Sequence, residues 1–326
     1  MNPADLFRRR LLVVAGKGGV GKTTVACALA LEGARRGLRI LLCEVDGLAG
    51  TAHLLHVPPP DVGSVAEASP GVFIMRVDGR AALAEYLGMV VPVRRLLDAV
   101  FRSRIYHYFV AAAPGLKELM TIGKIWYEAE GVQDASGGHK WDLVIFDAPA
   151  TGHSLQYLRM PAAARDAFSA GLVHREAQRL VELLTDPART AINLVATAEE
   201  LPVNETIGMY RQLRDLRMPT GVLFVNRVHT TDFADADIER LRSAVARRRE
   251  ERERVALAEM AARAREEAGW TRVNARYRAR LAEQVEMPLV QIPFLFSEEF
   301  SLAEVREIAA HLRREVPATG RRERRA

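Results

Sequence analysis

Short apolar runs alternate with longer stretches of helical periodicity along most of the chain. The runs are rich in Leu, Ile and Val and lack the alternation of polar and apolar residues that marks a half-exposed strand. They predict strands at RRLLVVAG, RILLCEVD, VFIMRVD, WDLVIFDAP, TAINLVATA, GVLFVNRV and MPLVQIPF. Strands buried on both faces are typical of a parallel sheet covered by helices. We therefore predict an α/β fold with a doubly wound, mostly parallel sheet.

Two regions depart from this alternation of strand and helix. Residues 80–131 and 155–184 have helical patterns throughout and are rich in Ala, Leu, Met and aromatic residues. We predict a single domain over residues 1–326, in which these two regions form an inserted helical lobe. Helices that only cover the sheet would have the same pattern. Residues 317–326 have the basic, polar composition of a disordered tail.

The composition narrows the class of protein. The chain of 326 residues is 49% apolar, and its net charge of +5 does not by itself predict nucleic acid as a partner. The two cysteines, Cys27 and Cys43, have neither CxxC spacing nor a nearby His partner, so we expect neither a disulfide nor a zinc site. The sequence contains no signal peptide and no apolar run of ~18 residues. We expect a cytoplasmic protein without an integral membrane segment.

A glycine-rich segment, GKGGVGKTT, follows the first predicted strand and precedes a predicted helix. Its Gly-x-x-x-x-Gly-Lys-Thr spacing matches the P-loop, in which glycines let backbone N–H groups face phosphate oxygens. Lys22 is expected to reach the β- and γ-phosphates of a nucleotide, and the Thr23 hydroxyl to bind Mg²⁺. The predicted nucleotide-binding residues of the loop are Gly16, Lys17, Gly18, Gly19, Val20, Gly21, Lys22, Thr23 and Thr24.

Two aspartates follow predicted strands. Asp46 comes after LLCEV, and Asp147 comes after LVIF. Ligands bind at the carboxyl ends of the strands in open α/β sheets, so both aspartates are expected beside the P-loop. We predict that Asp46 is catalytic and orients or deprotonates the attacking water, and that Asp147 holds Mg²⁺ directly or through water. Aspartates at strand ends also serve as helix caps, and the sequence leaves that alternative open.

Lys17 is not required by an ordinary P-loop. The form KGGVGKT resembles the deviant P-loop of the MinD, ParA and nitrogenase iron-protein class. In that class the additional lysine crosses a dimer interface and contacts the phosphates in the partner's site. The resemblance implies a catalytic role for Lys17 and a second ATPase subunit across the nucleotide, either identical or a paralogue. A second cation on developing phosphate charge is also what an arginine finger supplies. A solvated surface lysine is the alternative.

Further motifs resemble those of the ArsA-like family, which comprises anion-pump and tail-anchored-protein-targeting ATPases. DAPATGHSLQYLRMP is similar to the second switch of the family, and TAEELPVNETI is similar to a segment that reaches the nucleotide through an acid, here Glu199. FVNRV is similar to VNQL in the family, which implies that Asn226 reads adenine. QIPFLFSEEFSL is similar to the adenine loop, here with Pro293 and Phe294. The motifs agree in order and rough spacing over nearly the whole chain.

Some positions depart from the family pattern. The first switch is DGLAG instead of DPAHN, so that Gly50 stands in place of its asparagine. The zinc-binding CxxC of the eukaryotic targeting factors is absent from the sequence, and so is a cysteine cluster for arsenite, which prefers soft thiolate ligands. The chain has one P-loop where the arsenite-pump subunit has two fused halves, so a partner chain must supply the second half.

The resemblance implies an Mg-ATP-dependent dimeric switch ATPase that hydrolyses ATP to drive a conformational change. It implies a chaperone or targeting factor for an apolar protein client, not an arsenite pump, and no nucleic-acid partner is expected. A ParA- or MinD-type positioning ATPase acting on DNA or membrane is the alternative. The amphipathic C-terminal segment SLAEVREIAAHLRREV would then bind the membrane, although a helix that covers the sheet would have the same pattern. The positions of Cys27 and Cys43 disfavour an iron-protein-like electron donor.

Overall fold

The computed structural model describes residues 3–45, 50–90, 115–231 and 233–316, which contain an eight-stranded sheet. The strands are β1 (Leu11–Gly16), β2 (Ile40–Val45), β3 (Val65–Ser69), β4 (Val72–Val77), β5 (Leu143–Asp147), β6 (Thr190–Thr197), β7 (Thr220–Val228) and β8 (Leu289–Pro293). Their order across the sheet is β3-β4-β2-β5-β1-β6-β7-β8. All neighbouring strands are parallel except β3 and β4. The predicted α/β fold with a mostly parallel sheet is therefore confirmed.

The strand that the sequence pattern did not predict is β3. It lies at the edge of the sheet, antiparallel to β4, and its residues are exposed or half-buried. Each of the other strands coincides with one of the predicted apolar runs, although β7 begins one residue before its run, at Thr220. Strands that helices cover give continuous apolar runs, whereas β3 has no fully buried residue and gives no such run. At the opposite edge, β8 still has Val290 and Ile292 buried, which keeps its run apolar.

Helices lie on both faces of the sheet. In the described residues they are α1 (Lys22–Arg35), α2 (Gly50–Leu54), α3 (Gly79–Val90), α4 (Leu116–Trp126), α5 (Thr151–Ala167), α6 (Leu172–Thr185), α7 (Glu200–Asp215), α8 (Asp235–Arg247), α9 (Glu251–Gln284) and α10 (Leu302–Glu315). A 3₁₀ turn (Pro3–Arg8) precedes β1, and a π-helical turn (Tyr127–Gly131) extends α4. No helix among them combines the length and the apolar content that are needed to span a bilayer.

The sheet separates two hydrophobic clusters. The first contains residues of α1, α10 and the N-terminal 3₁₀ turn, and the second contains residues of α4 to α7 and the end of α9. Successive side chains of β1 alternate between them, so that Leu12 and Val14 lie in the first cluster and Leu11 and Val13 in the second. Strand β1 is therefore buried on both faces at the centre of the molecule, and it fixes the loop that follows it.

The amphipathic C-terminal segment forms α10, and its apolar face is covered. Val305, Ile308 and Leu312 are buried in the same cluster as α1. Of the two interpretations that the sequence left open, the structure supports the helix that covers the sheet. The apolar face of α10 is not available to a membrane in this conformation.

The regions predicted as a helical lobe are occupied by helices in the part of the chain that the structure describes. The first region contains α3, α4 and the π-helical turn, and residues 91–114 within it lie outside the described residues. The second region contains most of α5 and α6, with a short turn at residues 168–171 between them. The predicted tail at residues 317–326 also lies outside the described residues.

A buried carboxylate joins α1 to α10. The Glu32 side chain has no exposed surface and accepts hydrogen bonds from Arg35 (2.8 Å), Arg36 (2.9 Å) and Arg313 (3.3 Å). Burial raises the pKa of this carboxyl, but the hydrogen bonds from Arg35 and Arg36 outweigh burial, so the pKa is lowered overall. The ionised carboxylate therefore holds the end of the helix that begins at the glycine-rich loop against the last helix of the fold.

We expect Glu32→Gln to lower the free energy of unfolding at pH 7 by about 2 kcal/mol, because charge-assisted hydrogen bonds are lost at a buried position. The folded-state pKa lies below the ordinary value of 4.5, so the contribution is present above that value and is lost as the pH falls through the folded pKa. Urea unfolding of both proteins from pH 7 to pH 3 should show the difference shrinking.

Glu239→Gln is the matched control for this variant, because the ion pair of Glu239 with Arg242 is mostly exposed. An exposed pair contributes little, and we expect this control to change the free energy of unfolding by less than about 0.5 kcal/mol. Equal losses in the two variants would contradict a structural role for the buried carboxylate.

Candidate functional site

The glycine-rich loop connects β1 to α1 and is packed closely against neighbouring strands. Gly16 has φ 155°, and a Cβ atom there would lie 2.2 Å from the carbonyl oxygen of Val195 in β6. Gly21 has φ 92°, and a Cβ atom there would lie 2.3 Å from Nδ2 of Asn226 in β7. Both positions therefore require glycine. The close approach places the loop at the carboxyl ends of the central strands, where its N–H groups and the start of α1 can bind phosphate.

Lys22 lies over the loop. Its Nζ donates a hydrogen bond to the carbonyl oxygen of Lys17 at 3.0 Å. Burial lowers the pKa of this ammonium, although the negative charge of Asp147 acts in the opposite direction. A partly desolvated cation with a weak neutral partner interacts strongly with an anion that enters the loop. Partial burial and a replaceable carbonyl partner therefore suit Lys22 to the predicted contact with the β- and γ-phosphates.

Thr23 and Asp147 are in direct contact, as the prediction of a shared metal site requires. The Thr23 hydroxyl donates to Oδ2 of Asp147 at 2.6 Å, and the carboxyl is buried. The pKa of Asp147 is raised to about 7, mainly by burial; the Thr23 hydrogen bond and the charge of Lys22 act to lower it, and the charge of Glu44 acts to raise it. Oδ1 of Asp147 is buried and has no hydrogen-bond partner in the part of the chain that the structure describes.

This donor set fits a magnesium ion. Mg²⁺ prefers oxygen ligands and is commonly held in proteins by one or two side chains together with substrate phosphates. A hydroxyl and a carboxylate with an unused oxygen supply those ligands, and a bound cation would stabilise the ionised form of Asp147 that burial disfavours. The described residues contain no cluster of three or more His, Cys, Asp or Glu that could hold a metal without phosphate.

Glu44 lies on β2 directly beside Asp147 of β5 in the strand register. Its buried carboxylate accepts hydrogen bonds from the N–H groups of Gly50 (3.0 Å) and Thr51 (3.1 Å) and from the Thr51 hydroxyl (2.6 Å). The carboxylate thus fixes the start of α2. The sequence signal for this role of Glu44 is an acidic residue inside the otherwise apolar strand β2. Gly50 supplies a backbone N–H where the family has an asparagine.

Asp46 and its predicted catalytic role fall outside the described residues. The side chain of His153, in the second switch, is also outside them. The backbone of the segment similar to the second switch is described, and in it α5 begins at Thr151, separated by three residues from the strand that ends at Asp147. The assignment of Asp46 to water activation stays a prediction.

Lys17 is held within its own chain in this structure. Its Nζ lies 3.2 Å from Oε1 of Glu205 on α7, and both side chains are partly exposed. Glu199, the acid that the resemblance places at the nucleotide, is exposed at the residue that precedes α7. Sequence reasoning did not find Glu205, because only the fold brings α7 beside the loop.

Asn226 is buried against the loop. Its Nδ2 donates to the carbonyl oxygen of Val20 at 2.9 Å, and its Oδ1 accepts from the N–H of Arg227 at 3.0 Å. In this structure both polar atoms of the side chain bind protein groups, and its reading of adenine stays a prediction. The contact with Val20 places β7, like β5, directly beside the loop.

Pro293 and Phe294 lie at the end of β8, on the same edge of the sheet. The N–H of Phe294 donates to the carbonyl oxygen of Val228, and the Phe294 ring stacks on His229 at 4.4 Å between centroids. His229 also stacks on Trp270 of α9 at 5.7 Å and has Nδ1 3.0 Å from a carboxylate oxygen of Glu267. The predicted adenine loop therefore joins an aromatic stack whose histidine and tryptophan the sequence reasoning missed.

We expect Asp147→Asn to stabilise the magnesium-free, nucleotide-free protein by about 2 kcal/mol or more at pH 8. The folded pKa of about 7 is above the ordinary value of 3.8, so the wild-type contribution is fully present below 3.8 and is lost as the pH rises through 7. The two proteins should therefore differ less at pH 5 than at pH 8 in urea unfolding. Parallel stability curves over this range would contradict the buried, protonated state of the carboxyl.

Comparison with known proteins identifies the family. The model of the family described as anion-transporting ATPase matches residues 9–176 and 169–263. The chain is 36% identical to the ATPase BagA of Mycobacterium tuberculosis over 69% of this chain and 67% of that protein. It is 28% identical to an arsenical pump-driving ATPase of Escherichia coli over 67% of this chain but only 39% of that protein.

A further relative is the ATPase ASNA1 homolog of Entamoeba dispar, which is 25% identical over 66% of this chain and 75% of that protein. The family match extends from β1 to α9 and includes the glycine-rich loop, Asp147 and Asn226. Since the family model covers most of the chain, the chain belongs to the anion-transporting ATPase family, which confirms both the predicted family and the prediction of an ATPase.

Proposed function

We propose that this ATPase is an Mg-ATP-dependent dimeric switch, which hydrolyses ATP to change conformation and acts as a chaperone or targeting factor for an apolar protein client. The observation that carries the proposal is the 2.6 Å contact between Thr23 and Asp147 beside the glycine-rich loop, with one oxygen of the buried carboxylate unpaired. These groups would bind the metal while the loop binds the phosphates. The two cysteines are free thiols, which supports a reducing compartment such as the cytoplasm.

In this proposal the residues of the loop act mainly by positioning charge. The N–H groups of the loop and of the first turn of α1 bind phosphate oxygens, and Lys22 exchanges its hydrogen bond with the Lys17 carbonyl for the β- and γ-phosphates. Thr23 and Asp147 would hold Mg²⁺, which neutralises phosphate charge when it is bound. Asp46 orients the attacking water, as the sequence predicts.

The dimer is supported by the position of Lys17. Its ammonium is partly exposed beside the loop and is paired with Glu205 in its own chain. An exposed pair of this kind contributes little free energy, so phosphate from a nucleotide in a partner subunit can displace it. We propose that closure of the dimer moves Lys17 from the carboxylate of Glu205 to that phosphate.

The two cysteines support the exclusion of arsenite as the transported ligand. Cys27 lies in α1 and Cys43 in β2, and both are fully buried on opposite faces of the sheet. Burial raises the pKa of both thiols well above the ordinary value, so neither forms a thiolate readily. Two thiols separated by the sheet cannot bind one arsenic atom together.

The client is supported by an apolar cavity between α3, α4 and α6. Its volume is about 520 Å³, and its lining includes Leu83, Leu119, Met120, Leu172, Val173 and Leu180. Val173 and Leu172 are 42% and 40% exposed, so the cavity opens to the surface. Flexible and aliphatic side chains suit varied apolar segments. An ion pair between Glu85 and Lys124 lies among the lining residues, where it limits the apolar surface.

We expect Lys17→Ala to bind ATP normally but to lose hydrolysis by at least about 100-fold, because it removes the cation that is proposed to reach the partner's phosphates. Lys22→Ala should instead weaken ATP binding by at least about tenfold. Binding of a fluorescent nucleotide measures ATP affinity, phosphate release measures hydrolysis, and light scattering with ATP measures dimer formation.

The control is Lys117→Ala, at an exposed lysine on α4, which should bind and hydrolyse ATP as the wild type does. Normal hydrolysis by a monomeric Lys17→Ala variant would rule out the dimer.

We expect Val173→Asp to weaken binding of an apolar client at least about fivefold, because a carboxylate would face apolar surface in the complex. The probe is a labelled peptide with a 20-residue Leu/Ala segment flanked by lysines, and the measurement is fluorescence polarisation. Val255→Asp is the matched control, since Val255 is 50% exposed on α9 away from the cavity. Basal ATP hydrolysis should be unchanged in both. Equal binding by the two variants would reject the cavity as the client site.

A further inference from the structure

Arg227 has a left-handed backbone conformation inside a strand. It lies near the carboxyl end of β7, with φ 55°. In the part of the chain that the structure describes, the other non-glycine residues with positive φ are His56 and Arg217. Each of these two follows a helix and donates its N–H to a carbonyl of the last turn, which is a common way for helices to end. That explanation does not apply to Arg227.

The conformation of Arg227 is held by a contact to the glycine-rich loop. The pairing of β7 with β8 shifts register between Val225 and Val228, which marks a bulge at this point. Within the bulge, Oδ1 of Asn226 accepts the N–H of Arg227, while Nδ2 of the same side chain donates to the carbonyl oxygen of Val20. The strained residue is therefore linked to the loop through one buried amide.

The side chain of Arg227 is exposed and has no partner among the residues that the structure describes. Its guanidinium makes no hydrogen bond or ion pair with any residue that the structure describes. Backbone strain of this kind persists where the surroundings fix it, and it concentrates at ligand-binding sites. A bulge beside a site commonly serves to redirect a side chain. An exposed arginine without a protein partner, one residue from a side chain that contacts a phosphate-binding loop, points to an anionic ligand.

We propose that Arg227 binds phosphate oxygens of the nucleotide held by the loop of the same chain. The planar guanidinium presents a fork of donors that matches phosphate, and Arg227 directly follows the residue whose side chain contacts the loop at Val20. This assignment rests on the proposed nucleotide site. It adds a second cation of the same chain to Lys22, while Lys17 is proposed to act on the nucleotide of the partner subunit, and it gives the bulge a function.

The test compares Arg227→Gly with Arg217→Gly. Both substitutions replace an exposed arginine at φ near 55° by the residue that tolerates this conformation, but Arg217 precedes β7 at the opposite end of the strand. We expect Arg227→Gly to bind ATP and ADP at least about tenfold more weakly, with a smaller salt dependence and an undiminished Tm. Arg217→Gly should bind both nucleotides as the wild type does, and Arg227→Lys should recover part of the affinity.

The readout is competition with a fluorescent ATP analogue at two salt concentrations, with adenosine as a ligand that lacks phosphate. Wild-type affinity of Arg227→Gly for ATP would overturn the proposal. An equal loss for adenosine and ATP would also overturn it and assign the guanidinium to the base. If the wild-type protein binds no ATP at all, the proposed nucleotide site is wrong, and that result is distinct from a failure of Arg227 alone.

Discussion

The site depends on one partly buried contact, in which the Thr23 hydroxyl donates to the buried Asp147 carboxyl at the carboxyl end of β5. The contact joins the first turn of α1 to the end of β5, and it lies where burial raises the pKa of the acid to about 7. A carboxyl in such a place is costly to ionise without a cation. The pair thus leaves one buried carboxylate oxygen without a hydrogen-bond partner among the described residues, and a bound cation would interact favourably with it.

The loop is held from its other side by β7. Asn226 contacts the Val20 carbonyl and lies so close to Gly21 that no side chain fits there. Together with Thr23 and Asp147, this contact fixes the loop between two strands that are not adjacent to each other in the sheet. The loop is therefore in contact with β5, which leads into the segment similar to the second switch, and with β7, which leads into the aromatic stack around His229.

Much of this architecture could be predicted from the sequence, for reasons that differ between elements. Inner strands are recognisable because burial on both faces makes them continuously apolar, and β3 was missed because it is an exposed edge. Thr23 and Asp147 could be found because P-loop spacing and strand ends are local signals. The raised pKa of Asp147 and the Lys17–Glu205 pair depend on packing between distant segments, which no local pattern encodes. The strain at Arg227, typically about 1–3 kcal/mol for such a conformation, follows from a bulge that exists only in the sheet.

The three arginines around Glu32 have a consequence for how the molecule can move. Their hydrogen bonds to Glu32 connect the C-terminal end of α1 to α10. The hydrogen bond of Thr23 to Asp147 connects the first turn of α1 to β5. The helix after the loop is thus held at both ends, and these hydrogen bonds join α10 to it. A fluorophore attached to α10 would consequently act as a fixed reference point, and distances measured from it during a nucleotide cycle would report displacement of α3 and α4 or of a second subunit.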